Sequence, residues 1–300
     1  MRIVDFYITI YDLVRNHKGV HPRLFAPLRK FVKLLANKRI PPYLEGSRVN
    51  SRKSDDIIVS LTSFPARIDN VWQVVECMLR QTLQPNKILL WLSKDQFSTK
   101  AELPNTLLGL ESDVFEIRLV DGDIRSHKKY YYVAQEFPDS LVFLVDDDLY
   151  YDSTILERSF REYHKHTNAV ICNYARIINR DKKGRMLPYK TWNVIRNYSE
   201  SSDLFFGSGG GTLFKPSQMF KDLTDIEEAL RLTPVADDIW LNAMARLNCQ
   251  KIVHLKSKTL LGIMNKHDVR LATSNLDEDG NDIQIKNINN KYNCIIKIST

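Results

Sequence analysis

Leu141 to Tyr151 reads LVFLVDDDLYY: five apolar residues run directly into three aspartates. An unbroken apolar run of this length suits a strand buried on both faces. Acids at the carboxyl end of such a strand stand where open α/β sheets bind their ligands. Three adjacent carboxylates repel one another, and a buried strand end is a costly place to leave that repulsion uncompensated. A divalent cation resolves the conflict, and hard oxygen donors suit Mg²⁺ or Mn²⁺ with positions left open for phosphate oxygens. The plainer reading is an acidic turn that caps the next helix. Aspartate-nucleophile phosphatases also end a strand in DxD, usually near the domain start as DxDx[TV]. Here Tyr150 takes the Thr or Val position, well into the chain.

Working outward, strands and helices alternate, which predicts a largely parallel sheet covered by helices. Strands are expected at Ile57 to Leu61, Ile88 to Leu92, Ile117 to Val120 and Leu141 to Val145, with helices at Ile68 to Gln81 and Lys129 to Glu136. Beyond Tyr150 the pattern loosens. A helix near Ile155 to His166, a strand at Ala169 to Asn173 and a polar, aromatic stretch from Ile178 to Leu204 come first. The glycines Gly209 to Gly211, a helix at Asp237 to Leu247 and a polar tail from Asn275 follow.

The formal charge of +7 is concentrated at one end. Residues 1 to 50 carry ten Lys or Arg against three Asp or Glu, so the other 250 residues balance at 33 of each sign. A neutral body excludes a nucleic-acid-binding surface of the usual basic and aromatic kind. Within the basic segment, residues 27 to 38 (PLRKFVKLLANK) form an amphipathic helix with Leu28, Phe31, Val32, Leu34 and Leu35 on one face. Such a helix either lies on an anionic membrane or docks its apolar face on the body. Ile40 to Ser54, with Pro41, Pro42 and Gly46, reads as a linker. The four cysteines are widely spaced and make no metal signature. The apolar start is interrupted by Asp5 and Asp12 and is too short to span a bilayer, so the expected location is cytoplasmic, with the inner membrane face as a candidate peripheral contact.

Four segments taken together resemble a bacterial glycosyltransferase family of the GT-A type, glycosyltransferase 2-like and associated with polysaccharide biosynthesis. They are VSLTSFPARI (Val59 to Ile68), IRSHKKYYYVAQEFPDSLVFLVDDDLYY (Ile124 to Tyr151), GGGT (Gly209 to Thr212) and ADDIWLNAMA (Ala236 to Ala245). The last is also similar to the DDI helix start of exostosin-like transferase domains. The resemblance implies a GT-A-like α/β fold, a nucleotide-sugar donor, UDP-linked in the first instance, and a carbohydrate or lipid-linked acceptor.

By that resemblance Thr62, Ser63, Phe64 and Arg67 contact the nucleotide, and hydroxyls beside a guanidinium at a strand-to-helix turn suit ribose and phosphate. Asp121 and Asp123 precede the aspartate strand, as do Lys128 and Lys129, of which Lys129 is preferred for the sugar diphosphate. Asp146 and Asp148 are the metal candidates, and Asp147 meets ribose or metal. His267, in NKHDVR, is the candidate third metal ligand in a closing lid, whereas His254 in KIVHL reads as a satisfied core histidine. Asp237 and Asp238 stand at a helix N-terminus where acids are favourable caps. Beside the other motifs they are the catalytic candidates, with Asp238 as general base. Gly209, Gly210, Gly211 and Trp240 are the acceptor-side candidates. The expected organisation is a basic helical arm and linker over 1–50, a GT-A-like domain over 51–265, and a lid and polar tail over 266–300. The competing readings are a metal-dependent phosphatase, a sugar nucleotidyltransferase, whose usual glycine-rich loop is missing from TSFPAR, and a non-catalytic carbohydrate-binding scaffold.

Overall fold

The computed structural model describes residues 2–16, 25–48, 51–54, 56–265 and 280–292. Seven strands build the main sheet: β1 (Ile57–Thr62), β2 (Lys87–Ser93), β3 (Phe115–Val120), β4 (Leu141–Val145), β5 (Ala169–Cys172), β6 (Gly210–Phe214) and β7 (Lys251–His254). They lie side by side in the order β3-β2-β1-β4-β6-β5-β7, and the two-residue strand Ser199–Glu200 pairs antiparallel to β7 at the edge. Neighbours β3, β2, β1 and β4 are parallel, as are β5 and β7, while β6 runs against both its neighbours. This is the expected mostly parallel α/β sheet, flanked by helices. The carboxyl ends of β1 and β4 therefore open side by side, which brings Thr62 and Asp146 to one rim.

Strand periodicity divides the core in two. Ile57, Val59 and Leu61 of β1, with Phe143 and Val145 of β4, face one layer, and Ile58, Val142 and Leu144 face the other. The first layer holds α1 (Ile3–Arg15), α2 (Ala26–Leu44), α3 (Val71–Leu79) and α5 (Ile155–Tyr163). The second holds α4 (Lys128–Glu136), α6 (Asp237–Leu247), α7 (Gly280–Tyr292) and a three-stranded antiparallel sheet from Ala175–Ile177, Asn193–Ile195 and Leu204–Phe206. Two of its three strands are what the irregular stretch after Ile178 contributes.

Two readings of the termini need correction. Helix α2 does not stop before the prolines but runs through Pro41 and Pro42 to Leu44. Two prolines delete amide donors and would ordinarily end a helix. Here Ile40 and Leu44 are buried, and the Arg80 guanidinium donates to the Leu44 carbonyl at 2.6 Å, satisfying an end group that the helix cannot. The first segment is docked on the body. Asp5 of α1 accepts from the Ser153 amide and hydroxyl at 2.8 and 2.7 Å, and Asp12 accepts from the Thr259 amide and hydroxyl at 2.6 and 2.8 Å. At the other terminus, Gly280–Tyr292 is helical rather than a polar tail, because Ile285 and Ile288 bury completely against the α6 layer.

Candidate active site

A cavity of about 380 Å³ lies at the carboxyl ends of β1 and β4. Thr62, Ser63, Phe64, Arg67, Asp123, Lys128, Lys129, Asp146 and Asp147 line it, together with Gln96, Arg125, Ser126 and Val235. All nine candidate nucleotide-contacting residues thus reach one cavity. The other four lining residues were not anticipated: Gln96 and Val235 lie in turns, and Arg125 and Ser126 in a single 3-10 turn, none with a pattern of its own.

The three aspartates have different surroundings. Asp147 is buried and accepts from Ser63 Oγ at 2.6 Å and Arg67 Nη1 at 2.7 Å. Burial pushes its carboxyl above the usual range, although Arg67 and Ser63 pull the other way. Arg67 also reaches Asp148 Oδ2 at 3.1 Å and lies 5.4 Å over the Phe64 ring. On the other side, Lys129 Nζ stands 2.8 Å from Asp146 Oδ1 and 3.2 Å from Asp237 Oδ2. Burial alone would lower the Lys129 pKa, but the two carboxylates reverse the shift and hold the ammonium charged. Cationic side chains therefore share the work of offsetting the acid triplet, which the sequence assigned wholly to a metal.

The metal candidates retain open coordination. Asp146 and Asp148 side chains are 40% and 30% exposed, in contrast to Asp147. Burial and then the neighbouring Asp146 push Asp148 up to about 6, so Arg67 leaves repulsion in this pair unrelieved. Two hard carboxylates with residual negative charge suit Mn²⁺ or Mg²⁺. Among the described residues, no group of three or more His, Cys, Asp or Glu is arranged to hold a metal, so water or substrate oxygens would complete the shell. His267 lies outside the described residues. His254 is fully buried with Nδ1 2.8 Å from the Asn197 carbonyl, as a satisfied core histidine should be.

The two acids of α6 separate as well. Asp237 is buried, accepts from Ser208 Oγ at 2.6 Å, and faces Lys129, so it orients that ammonium. Burial pushes Asp237 up, but Lys129 and its hydrogen bonds carry it below the usual carboxylate range. Asp238 has no such cation in contact. Burial first, and the neighbouring Asp237 second, raise it to about 7.

The acceptor-side candidates fare differently. Trp240 is fully buried, its indole N–H donating to the Leu223 carbonyl at 3.0 Å, so it has no face to offer a sugar. Its position on the inward side of α6 is the cause. Gly209 to Gly211 are buried too, and their missing side chains serve packing rather than sugar access. A β-carbon on Gly209 would fall inside the Asp146 carboxylate, and one on Gly210 against the Tyr174 side chain. Gly211 has φ +94° at a register shift in the β6–β4 ladder, a bulge conformation that suits glycine. Tyr151 locks this junction, accepting from the Asp146 amide at 2.7 Å and donating to the Gly209 carbonyl.

Lys128 was the less favoured lysine, yet both lysines line the cavity. Its ammonium pairs with Asp123, which also accepts from Gln96 Nε2 at 2.8 Å and the Arg125 amide at 2.9 Å. Arg125 has φ +53°, uncommon for a residue with a β-carbon.

Fold and site together define a mostly parallel α/β domain with an acid- and cation-lined cavity at the strand ends. No family model and no curated protein matches the sequence. Among solved structures, the chain is similar to an apo UDP-glucose pyrophosphorylase at 10% identity, covering 81% of this chain and 99% of that one, with a TM-score of 0.42. It is also similar to HddC from Yersinia pseudotuberculosis at 8% identity, covering 57% of this chain and 79% of that one, with a TM-score of 0.36.

Proposed function

We propose that this chain is a metal-dependent glycosyltransferase, moving a sugar from a nucleotide diphosphate donor, UDP-linked in the first instance, to a carbohydrate or lipid-linked acceptor of surface polysaccharide synthesis. The observation that carries the reading is one cavity in which Asp146 and Asp147, Arg67, Lys128 and Lys129 meet the hydroxyls of Thr62 and Ser63, with Asp148 joined to it through its ion pair with Arg67. Its volume lies within the ordinary range for small-molecule sites. Its mixture of charges suits a ligand with a hydroxyl-bearing ring and a polyanionic end.

In this reading Phe64 and the Thr62–Ser63 turn receive the nucleoside, and Arg67 and Lys128 hold the diphosphate. Lys129, fixed between Asp146 and Asp237, keeps a permanent positive charge where negative charge develops on the departing nucleotide. Asp146 and Asp148 would hold Mn²⁺ or Mg²⁺, whose chemistry is to neutralise the leaving diphosphate. Asp238 accepts the proton of the acceptor hydroxyl, and a pKa near neutrality fits it for that task.

The test is nucleotide release by purified protein across a panel of UDP-, GDP-, CMP- and dTDP-sugars, with Mn²⁺ or with EDTA, beside Asp148→Ala. Release that requires both metal and Asp148 supports the reading and names the donor. Absence of release, together with absence of metal-dependent nucleotide binding, overturns it.

A further inference from the structure

Nine large hydrophobic side chains are exposed among the described residues, and five of them belong to α1 and α2: Phe6, Leu13, Leu28, Phe31 and Leu34, each between 40% and 64% accessible. Their positions are ordered. On α1, Phe6 and Leu13 are seven residues apart and share a face turned away from the buried Val4 and Ile8. On α2, Val32, Ala36, Ile40 and Leu44 form the inward stripe, and Leu28, Phe31 and Leu34 lie to one side of it. Both helices belong to the layer over one face of the sheet and pack against each other, so each keeps a core-averted side.

Charge on α2 has one sign, and the two acids of α1, Asp5 and Asp12, are taken up by Ser153 and Thr259. Ala26–Leu44 contains Arg29, Lys30, Lys33, Lys38 and Arg39 and no acid, and Lys30, Lys38 and Arg39 are exposed. Large apolar side chains rimmed by cations match an interfacial helix pair better than a protein interface, whose centre is typically depleted of lysine. No helix among the described residues is long and apolar enough to cross a membrane. We propose that the outer face of α1 and α2 seats this protein on an anionic lipid bilayer.

The inner side of α2 gives this seating a consequence. Asn37 donates to the Gly262 carbonyl at 3.2 Å and accepts from the Met264 amide at 2.7 Å and the Tyr150 hydroxyl at 3.3 Å. Tyr150 lies two residues beyond Asp148, on the strand Leu149–Tyr150 that pairs with Leu261–Gly262. The helix that meets the bilayer therefore also braces the strand that follows the aspartate turn, so seating and turn share one element. The proposal deepens the reading above by naming the surface at which a lipid-linked acceptor is met, and it rests on that reading for the acceptor alone.

Flotation of the full chain with vesicles tests it. Phosphatidylcholine vesicles containing phosphatidylglycerol should carry the protein at low salt, and vesicles of phosphatidylcholine alone should not. Phe31→Ser/Leu34→Ser should lower partitioning at least about tenfold, because interfacial binding scales with buried apolar area. Lys30→Glu/Lys38→Glu should lower it too, by reversing charge while leaving the apolar face intact. Unchanged circular dichroism and unchanged nucleotide binding separate lost docking from lost folding. The proposal is overturned by absence of flotation with anionic vesicles, or by flotation that neither variant reduces. It is overturned equally if light scattering shows that the wild type buries this face in a dimer and does not float. Nucleotide-sugar turnover is scored separately on soluble acceptors, so failure of docking and failure of the transferase reading give different results.

Discussion

The carboxylate of Asp146 occupies the space that a side chain on Gly209 would need. The two are also joined through the backbone, the Asp146 amide donating to the Gly209 carbonyl at 3.0 Å. Alanine at 209 must therefore push the carboxylate off its present position, out of reach of Lys129. Gly209→Ala should cost about 1–3 kcal/mol of stability, the usual range for overpacking. It should also lower metal-dependent nucleotide binding at least about tenfold, since misplacing a charged ligand costs more than 1.4 kcal/mol. Chemical unfolding and titration calorimetry with Mn²⁺ and UDP measure the two effects. Native affinity in a folded Gly209→Ala protein would contradict the role given to Asp146.

Arg67 is the counter-ion of a buried acid, so its removal leaves Asp147 charged and unpaired. Breaking such a pair costs about 3–5 kcal/mol, and Arg67→Ala should be destabilised by that order at pH 8. Burial already raises Asp147, and without Arg67 it rises further. Between its unfolded and folded pKa values the native state then binds the extra proton, so the variant's stability is regained as pH falls toward 5 and lost as pH rises. Thermal melts of both proteins from pH 5 to pH 8 test this. A deficit independent of pH would place the Arg67 contribution in packing instead.

The readable and unreadable parts of this sequence differ by physical cause. Buried parallel strands are continuous apolar runs with turn residues at their ends, and Leu141–Val145 and the helix Asp237–Leu247 have the bounds that pattern predicts. Trp240 shows the limit: a motif places a residue near a site, but helical phase decides whether it faces that site, and phase here depends on packing against Leu223 and α7. Gly209 to Gly211 show another. Their spacing is visible in sequence, but the partners that forbid a side chain, Asp146 and Tyr174, come from other strands. The extension of α2 through Pro41 and Pro42 was hidden because local propensity opposes it and a distant guanidinium, Arg80, offsets the loss.

Asp238 should impose a pH profile. Its carboxyl is raised to about 7 by burial and by Asp237, with Lys129 opposing. The folded state therefore binds a proton that the unfolded chain releases near pH 4. The associated stability is fully present below that value and is lost as pH rises to about 7. As a base, however, Asp238 works only when ionised, so kcat/KM should climb through an acid limb near 7. Asp238→Asn should lower turnover about 10²–10⁴-fold, the range for a lost general base, while raising stability at pH 8. A variant that keeps wild-type turnover, or an acid limb that stays after the substitution, would remove Asp238 from this role.

Arg125 is the cavity cation that the motifs did not indicate. Arg67, Lys128 and Lys129 each pair with an acid, whereas the Arg125 guanidinium has no ion pair with any acid among the described residues. Its left-handed backbone, φ +53°, costs about 1 kcal/mol or more for a residue with a β-carbon. The Asp123 carboxylate holds that turn by accepting the Arg125 amide at 2.9 Å. A strained backbone that carries an unpaired cation into a cavity fits a residue that meets an anionic substrate. Arg125→Gly separates the two effects, because glycine adopts positive φ without that strain. Stability should hold or increase by up to about 1 kcal/mol, whereas affinity for UDP should fall about tenfold or more, as expected for one charge-assisted hydrogen bond. Affinity for uridine, which has no phosphate, should not change. Equal losses for UDP and uridine would instead make Arg125 a contact to the nucleoside.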